Sequence, residues 1–492
     1  MLVILSDLHL NDGTTGAGLA TEAMGLLADR IRDLAITASW RSDGGYRPIE
    51  RIDLVLLGDI FDLLHSSLWQ NRPDIRPWHD PQAPGFIDMV SSITNDILSN
   101  NQEVLQELRA LTVAGEVAVP PMLRTARPAT DADFQPVTVR IHYMVGEHDW
   151  FFHLPGEHYD ALRRKLVDQL GLAQRADQPF PHDIVENDEL LQVMRRHKVV
   201  ARHGDLFDPL SFEGDRDTSS LTDALVLELS NRFGIELERE LAHDLPDAAL
   251  LALRQIDSVQ PLLLAPAWIE GILERNCPQP AVRKRVKLLW DRLVEELLAS
   301  EPVQRLDTSA PGNLVDGLAQ ALRFGRRVSS GWSAATWQWM QKTRGTASDS
   351  YACHAPAEPD FRNRRAKHIV YGHTHLSEIT PLDAIHAEGY ELDQIYFNSG
   401  TWRRVFRQAQ FAGGQAEFIP FDMMTYLAFF QGDERKGRAY EAWSGALGFS
   451  PSQRRSYRID AGKAKSSASF AGPHFMSSPS RSATPAFVRR TT

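Results

Sequence analysis

This chain of 492 residues has little cysteine and no long apolar run. Only Cys277 and Cys353 are present, without CxxC spacing, which excludes a framework of several disulfides. Such sparse cysteine favours a reducing compartment, so we expect a cytoplasmic location. The longest nearly apolar segment, at 262–273, is shorter than the roughly 20 residues that cross a bilayer, and it contains Glu270. We therefore expect a buried helix there and no integral membrane span.

The chain also lacks a surplus of basic residues. Its formal net charge is −11, from 53 Lys+Arg against 64 Asp+Glu. This sign disfavours sequence-independent binding to nucleic acid and to an anionic bilayer, which weakens a nuclease as an alternative function. Hydrophobic residues make up 43% and charged residues 24%, as in ordinary globular proteins. The length allows one large domain or a core with a sizeable insertion.

Several short apolar segments, each with strand character, end in a cluster of polar residues. In chain order they are VILSDLHL from Val3, DLVLLGD at 53–59, VTVRIHYMVGEHD at 137–149, KVVARHGD at 198–205 and KHIVYGHTH at 367–375. Helical periodicity lies between some of them, at 19–35 and 93–111. Strands that alternate with helices predict a layered α/β core, with ligand chemistry at the C-terminal ends of its strands.

The segment 206–365 differs in character and predicts a helical insertion between the fourth and fifth strand motifs. Helices are expected at 222–240, 245–256, 280–300 and 314–328. This insertion either caps the core or shapes a substrate cleft. The core is expected to comprise 1–205 and 366–460, and its later strands are expected at 394–402, 405–410, 416–421 and 424–430. The acid-free, Ser-, Ala- and Pro-rich segment 461–492 predicts a disordered tail.

The strand ends carry the residue types that bind metal ions. The candidate ligands are Asp7, His9, Asp59, Glu147, His203, His373 and His375. Carboxylates together with neutral imidazoles suit Mn²⁺, Fe²⁺, Zn²⁺ or Co²⁺. Seven ligands exceed the needs of one ion and suit two ions that share a carboxylate, the arrangement that clamps both oxygens of a phosphoryl displacement. One such motif alone would be surface chemistry, but five in order after apolar strands predict a metal site.

This series of motifs resembles the calcineurin-like metallophosphoesterases. Their D-x-H, G-D-x-x-D, G-N-H-D, H-G-D and G-H-T-H motifs stand here at 7–9, 58–62, 146–149, 203–205 and 372–375. The bacterial UDP-diacylglucosamine pyrophosphatase branch is the most similar in style, because it also has an aromatic-rich stretch after the second motif and an H-G-D fourth motif. The resemblance covers residues 1 to about 420. It implies an αββα sandwich, two divalent metals with Mn²⁺ favoured, and a small phosphodiester or pyrophosphate substrate.

The resemblance also implies a role for each site residue. The first metal would be held by Asp7, His9 and His375. The second would be held by position 147, His203 and His373. Asp59 would bridge the two, a hydroxide between them would attack phosphorus in line, and His148 would act on the leaving oxygen. Around these residues, the side chains expected to orient ligands are Asp62, Asp149 and Asp205, of which Asp205 could instead cap its loop.

Glu147 departs from the family pattern, which has asparagine at this position. A third carboxylate lowers the net charge of a two-metal site from +2 to +1, so the site should attract an anionic phosphate less and acidify its water less. The remaining ligands are intact, which predicts a working but retuned site. The alternative is a catalytically weakened scaffold that uses the helical insertion as a partner surface.

The loop that follows the second motif mixes aromatic and basic residues. Trp69, Arg72 and Arg76 could grip a second phosphate and stack on a base, because arginine pairs with phosphate and aromatic rings stack on planar groups. The alternative is a surface loop whose tryptophans pack on the core. The sequence leaves both interpretations open.

Overall fold

The computed structural model describes residues 1–20, 22–129, 133–308, 313–324, 350–387, 390–409 and 417–446. Met1–Leu447 form one compact unit. Its strands and helices form a mixed α/β structure, which confirms the predicted class. None of the described helices is both long and apolar enough to cross a membrane. The tail predicted at 461–492 lies outside the described residues.

The strands form two main sheets and one small pair. They are β1 Leu2–Leu5, β2 Arg51–Leu57, β3 Ala118–Val119, β4 Gln135–Pro136, β5 Thr138–Met144, β6 Val199–Ala201, β7 His368–Tyr371, β8 Ser377–Ala387, β9 Tyr390–Ser399, β10 Arg404–Gln408, β11 Phe418–Phe429 and β12 Tyr440–Ala446. The first sheet has the order β10-β11-β1-β2-β5, with β12 also on β11, and its β1, β2 and β5 are parallel. The second has the order β6-β7-β9-β8, and its β6, β7 and β9 are parallel.

The first sheet is buried on both faces. In β1, Val3 and Leu5 pack with helices on one face, whereas Leu2 and Ile4 pack with residues of the second sheet on the other. Side chains of a strand alternate between the two faces of a sheet, so both sets must be apolar. This explains why the strand motifs are continuous apolar runs in the sequence.

The longer helices are α1 Glu22–Ala38, α2 Pro84–Asn100, α3 Gln102–Ala110, α4 Glu157–Leu170, α5 Asp188–His197, α6 Arg232–Leu241, α7 Asp247–Leu253, α8 Ala265–Asn276, α9 Pro280–Leu298, α10 Glu301–Leu306 and α11 Leu314–Leu322. Helices α1 to α4 pack on the first sheet. The single helix predicted at 93–111 is wrong, because the chain breaks at Asn101, whose side chain donates to the carbonyls of Ile97 and Asn11 (both 2.8 Å). The two strands predicted at 416–421 and 424–430 are one strand, β11.

Helices α6 to α11 share a hydrophobic cluster of their own. This cluster meets the first sheet where Trp268 of α8 contacts Phe406 of β10 and Phe418 of β11, with ring centroids 4.4 and 5.4 Å apart. Before α6, a π-helical stretch over Leu225–Asn231 offers the Leu227 carbonyl to Gln70 (2.7 Å). These contacts attach the helical segment to the α/β core.

The end of the predicted insertion packs differently from its helices. Tyr351 and Ala355 lie in the hydrophobic cluster between the two sheets, together with Ile369 and Val370 of β7. The described residues after 350 therefore belong to the core by packing, although the sequence predicted an insertion up to 365.

Candidate metal centre

Polar residues that follow five strands meet in one cleft. They come after β1, β2 and β5 of the first sheet and after β6 and β7 of the second. Many of them have left-handed backbone conformations, with φ of 54° at Asp7, 48° at His9, 52° at Asp59, 67° at His373 and 58° at His375. Such conformations are uncommon for residues with a Cβ atom, and they concentrate where a side chain must be aimed for function.

One group of ligand atoms is formed by Asp7, His9 and His375. His375 Nε2 lies 3.3 Å from Asp7 Oδ1 and 2.9 Å from His9 Nε2. His9 Nδ1 donates to Asp62 Oδ2 (2.9 Å), so the neutral ring directs its Nε2 lone pair into the group. These three side chains are buried and could hold one metal ion.

A second group is formed by Glu147, His203 and His373. Glu147 Oε1 lies 2.5 Å from His373 Nδ1, and Glu147 Oε2 lies 2.7 Å from His203 Nε2. His203 Nδ1 donates to the carbonyl of Leu57 (3.0 Å), which again leaves Nε2 as the free nitrogen of the neutral ring. These residues could hold another ion.

Asp59 lies between the two groups. Its Oδ2 is 3.7 Å from His9 Nε2 and 3.3 Å from His203 Nε2. Its Oδ1 accepts from the backbone N–H of His148 (2.9 Å), which fixes the orientation of the carboxylate. The side chain is fully buried. This is the position predicted for a shared ligand.

Four buried atoms of the two groups and of Asp59 between them lack a hydrogen-bond partner. They are Asp7 Oδ1, Asp59 Oδ2, Glu147 Oε2 and His203 Nε2. Burial disfavours the imidazolium of His203, but Asp59, Glu147 and Asp7 outweigh it and raise the pKa of His203 well above the ordinary value. The surrounding carboxylates therefore favour positive charge at this place, which a divalent cation would supply in the metal-bound protein. Ligands bound at roughly 2.0–2.2 Å from an ion are ~3–3.6 Å from one another. Most of the separations above are close to this range, so the residues fit divalent cations.

Crowding of the carboxylates shifts their proton affinities. Burial raises the pKa of Asp59, and the nearby Glu147 carboxylate raises it further. Burial likewise raises the pKa of Asp7. Burial also opposes ionisation of Glu147, but the facing imidazoles of His373 and His203 outweigh it and hold its pKa well below the ordinary value. Bound cations would relieve this repulsion by supplying the missing positive charge.

Two glycines allow the loops to approach this closely. A Cβ atom at Gly58 would lie 2.5 Å from His203 Nδ1, and one at Gly146 would overlap Asp59 Oδ1. Gly58 also has a φ of 81°. Both positions therefore require a residue without a side chain.

Of the three aspartates predicted to orient ligands, Asp62 is the one that contacts imidazole side chains of the cleft. Asp62 contacts three imidazoles, with Oδ atoms 2.9 Å from His9, 2.7 Å from His65 and 2.8 Å from His148. It therefore orients one ligand and the predicted leaving-group residue. Burial disfavours its ionisation, but these imidazoles outweigh that effect and hold the pKa of Asp62 well below the ordinary value.

Asp149 and Asp205 bind the framework of the loops. Asp149 accepts from the backbone N–H groups of Ile60 (2.9 Å) and Gly146 (2.6 Å), so it ties together the two loops that carry Asp59 and Glu147. Asp205 pairs with Arg216 (2.7 Å). The prediction that Asp205 orients His203 is not supported, because the Leu57 carbonyl fixes that ring.

The basic and aromatic residues proposed for substrate binding lie away from the cleft. Trp69 is fully buried, and its indole N–H donates to the Leu63 carbonyl (2.8 Å). Arg72 is exposed and pairs with Asp74 (2.9 Å). Arg76 is buried against Glu228 (2.6 Å). The structure therefore corrects this prediction, because each side chain already has a structural partner.

Several residues of the cleft carry no sequence motif. Asp208 Oδ2 lies 3.2 Å from His373 Nε2 and can fix its tautomer. Gln260 contacts His375 Nδ1 at 3.3 Å, and the Tyr351 ring stacks on His373 at 5.9 Å. Arg403 lines the cleft while it pairs with the buried Asp257. The one sequence signal for Arg403 is that it follows the fifth motif along the chain.

The helical segment forms one wall of this cleft. Its contributions include Leu225, Val226 and Ser230 of the π-helical stretch and Pro261, Leu262 and Leu263 before α8. Arg403, which directly precedes β10, and Arg407 within β10 line the same cleft. Of the two roles that the sequence left open, this geometry favours shaping a cleft.

No protein-family model matches this chain, and no curated protein matches it either. The functional argument therefore rests on the chemistry of the cleft. That chemistry consists of two three-residue ligand groups, the carboxylate of Asp59 between them and the imidazole of His148 beside them.

Proposed function

We propose that the protein is a two-metal phosphoesterase that hydrolyses a small phosphodiester or pyrophosphate. The observation that carries the proposal is the set of four buried atoms around Asp59 without a hydrogen-bond partner, because divalent cations would satisfy these oxygen and nitrogen lone pairs together. Two divalent cations would supply the Lewis acidity and the activated water for in-line displacement at phosphorus. Mn²⁺ is the favoured metal, and Fe²⁺, Zn²⁺ or Co²⁺ have the same ligand preferences.

The residues of the chain then have separate tasks. Asp62 holds Nδ1 of His148, which leaves Nε2 as the nitrogen that can meet a leaving oxygen. Burial disfavours the imidazolium, but Asp62 and Asp59 outweigh it and raise the pKa of His148 to about 10 in the absence of cations. Asp149 keeps the loops of Asp59 and Glu147 together. Arg403 and Arg407 line the cleft, where an anionic substrate would lie.

The order of the motifs supports the finer assignment of the fold. Five strand ends deliver their ligands in the order that calcineurin-like phosphoesterases use, and two sheets with an apolar cluster between them carry these ends. We therefore propose a calcineurin-like core for the described α/β part. The resemblance of the motifs and the geometry of the ligand groups both support this proposal.

Purified protein freed of metal should hydrolyse bis(4-nitrophenyl) phosphate only after Mn²⁺ is restored. Elemental analysis should show close to two equivalents of bound metal, and chelation should remove both metal and activity together. Single-stranded DNA serves as the parallel substrate and should not be cleaved, because the acidic chain disfavours polyanions. Two bound equivalents without hydrolysis would instead support the weakened scaffold, and DNA cleavage would support the nuclease.

Replacing Glu147 with asparagine should raise the activity at saturating metal and also raise the metal concentration needed for half-activation. The substitution removes one negative charge, so at saturating metal the water should ionise more readily and the variant should be faster, with the acid limb of its pH–rate profile at lower pH. An amide is a poorer ligand, and asparagine cannot reach both His203 and His373 as Glu147 does. Half-activation should therefore need more metal.

Steady-state rates measured over a metal titration and a pH series would check this expectation. The matched control is Glu50→Asn, which replaces an exposed glutamate and should leave rate, pH profile and metal requirement as in the wild type. If Glu147→Asn behaved like this control, Glu147 would not be a ligand, and the residues of the second metal site would have to be reassigned.

A further inference from the structure

Two histidines and a carboxylate meet in a second place that shares no residue with the centre described above. His153 follows the short helix Trp150–Phe152, His182 precedes α5, and Asp217 lies in the loop that leads to the helical segment. Their imidazole nitrogens and carboxylate oxygen all lie within 4.8 Å of one another. The two rings are close, with centroids 4.4 Å apart.

The hydrogen bonds of His153 prepare it as a ligand. Its Nδ1 donates to the Phe180 carbonyl (2.8 Å), so the neutral ring presents an Nε2 lone pair. A backbone carbonyl that fixes the other ring nitrogen is the usual support of a metal-binding histidine. This Nε2 lies 3.8 Å from Asp217 Oδ1, too far for a hydrogen bond but close to the separation of two ligands on one ion.

His182 completes the group from the buried side. It is only 4% exposed, and its Nε2 lies 3.3 Å from Asp217 Oδ1, which is long for an N–H···O bond, where about 2.9–3.0 Å is usual. Its Nδ1 has no hydrogen-bond partner in the described structure. Burial also lowers the pKa of His182, which favours the neutral ring that a metal requires.

The surrounding charges suit a cation. Glu186 Oε2 accepts from the backbone N–H of His182 (2.9 Å) and lies 3.9 Å from His153 Nδ1, which adds a second carboxylate beside the group. The nearest arginine in sequence, Arg216, is paired with Asp205 (2.7 Å). The local balance at the two imidazoles is therefore negative.

We propose that His153, His182 and Asp217 bind a further divalent cation of the borderline class to which Zn²⁺ belongs. Two imidazoles and one carboxylate are a ligand set that zinc accepts, with water completing the tetrahedron. The ion would clamp the loop of Asp217 to the core segments of His153 and His182. Its role is structural, and the proposal does not depend on the phosphoesterase function.

The clamp would also support the loop that carries His203. Arg216, next to Asp217, donates to the His182 carbonyl (3.0 Å) and pairs with Asp205, two residues after His203. Fixing Asp217 therefore restrains Arg216 and, through it, the end of the fourth strand motif. A cation here would hold together the core and the beginning of the helical segment.

Equilibrium dialysis of the metal-free full chain against Zn²⁺, followed by elemental analysis, tests this site. We expect the wild type to bind one equivalent more than His153→Ala or Asp217→Ala at the same free Zn²⁺. Loss of a ligand should weaken binding at this site at least as much as the ~10–100-fold that loss of a ligand's hydrogen-bond partner costs. Both replaced side chains are partly exposed, so the variants should fold, which a melting curve verifies.

Matched controls are His158→Ala and Asp177→Ala, which remove an exposed imidazole and an exposed carboxylate outside the group. Both should retain the additional equivalent. As a second measurement, Zn²⁺ should slow tryptic cleavage after Arg216 in the wild type and not in Asp217→Ala. Equal zinc stoichiometry in the wild type and in the folded His153→Ala and Asp217→Ala variants would overturn the proposal, whatever the catalytic activity.

Discussion

Asp59→Asn is expected to abolish paired metal binding and to lower phosphodiester hydrolysis on the order of 10³-fold or more. The Asp59 carboxylate lies within 4 Å of imidazoles of both ligand groups, at 3.7 Å from His9 and 3.3 Å from His203. Asparagine keeps the size and one oxygen but removes the charge that both cations would share. Elemental analysis should find at most one tightly bound equivalent, and the residual rate should not recover at high metal concentration.

The same substitution should not destabilise the protein when metal is absent. Asp59 is fully buried, and burial together with the Glu147 carboxylate raises its pKa. Ionised Asp59 therefore lowers the stability of the metal-free fold. Neutral asparagine removes that destabilisation without changing the volume. The metal-free variant should therefore melt at or above the temperature of the metal-free wild type, whereas added metal should raise the melting temperature of the wild type more than that of the variant.

Asp53→Asn is the matched control, because Asp53 lies on β2, the strand that precedes Asp59, and is also buried. Asp53 accepts from Arg51 (2.9 Å) and His142 (3.0 Å), and these bonds outweigh burial and hold its pKa at about 2. A lowered pKa stabilises the fold above about pH 4, and this stabilisation is lost as the pH falls towards 2. At neutral pH, Asp53→Asn should therefore reduce stability while it keeps metal and activity.

A contrary result is easily recognised. If Asp59→Asn kept two equivalents of metal, or lowered the melting temperature equally with and without metal, Asp59 would be a structural carboxylate like Asp53. The proposed centre would then lose its bridge, and the two groups would have to be treated as separate sites.

The cluster of candidate metal ligands was predictable from the sequence because each candidate follows an apolar strand. Parallel strands place their C-terminal ends at a common edge, so Asp7 and Asp59, on neighbouring strands of one sheet, must lie close together. The sequence also places glycine beside Asp59 and Glu147, where the structure leaves no room for a Cβ atom. The position of each candidate after an apolar strand and the position of each glycine are both visible in a few neighbouring residues. Features of this kind do not depend on packing between distant segments.

Other parts of the cleft could not be predicted, because their position depends on packing between distant segments. Trp69 stands in an aromatic stretch near the second motif, yet its ring stacks on Phe151 in the core. Gln260 reaches His375 only because the helical segment packs against β10. The group of His153, His182 and Asp217 comes from three separate segments that share no spacing pattern. The sequence gives no signal for a contact of this kind.

His148→Ala should lower the rate 10²–10⁴-fold while metal content stays at the wild-type level. The His148 side chain belongs to neither of the two groups assigned above to the metals, and its Nδ1 is held by Asp62 at 2.8 Å, so the remaining ring nitrogen can give a proton to the leaving oxygen. Its backbone N–H orients Asp59 and is retained by alanine. The loss should therefore appear in kcat and not in the metal requirement.

The choice of leaving group separates proton donation from a structural role. A 4-nitrophenolate leaves without a proton, whereas an alkoxide needs one, so His148→Ala should slow an alkyl ester far more than a nitrophenyl ester. His65→Ala is the matched control, because His65 stacks on His148 at 5.8 Å and binds the same Asp62 (2.7 Å). It should cost less and show no dependence on the leaving group. Equal losses for both esters in His148→Ala would mean that His148 positions the substrate or the loop and does not transfer a proton.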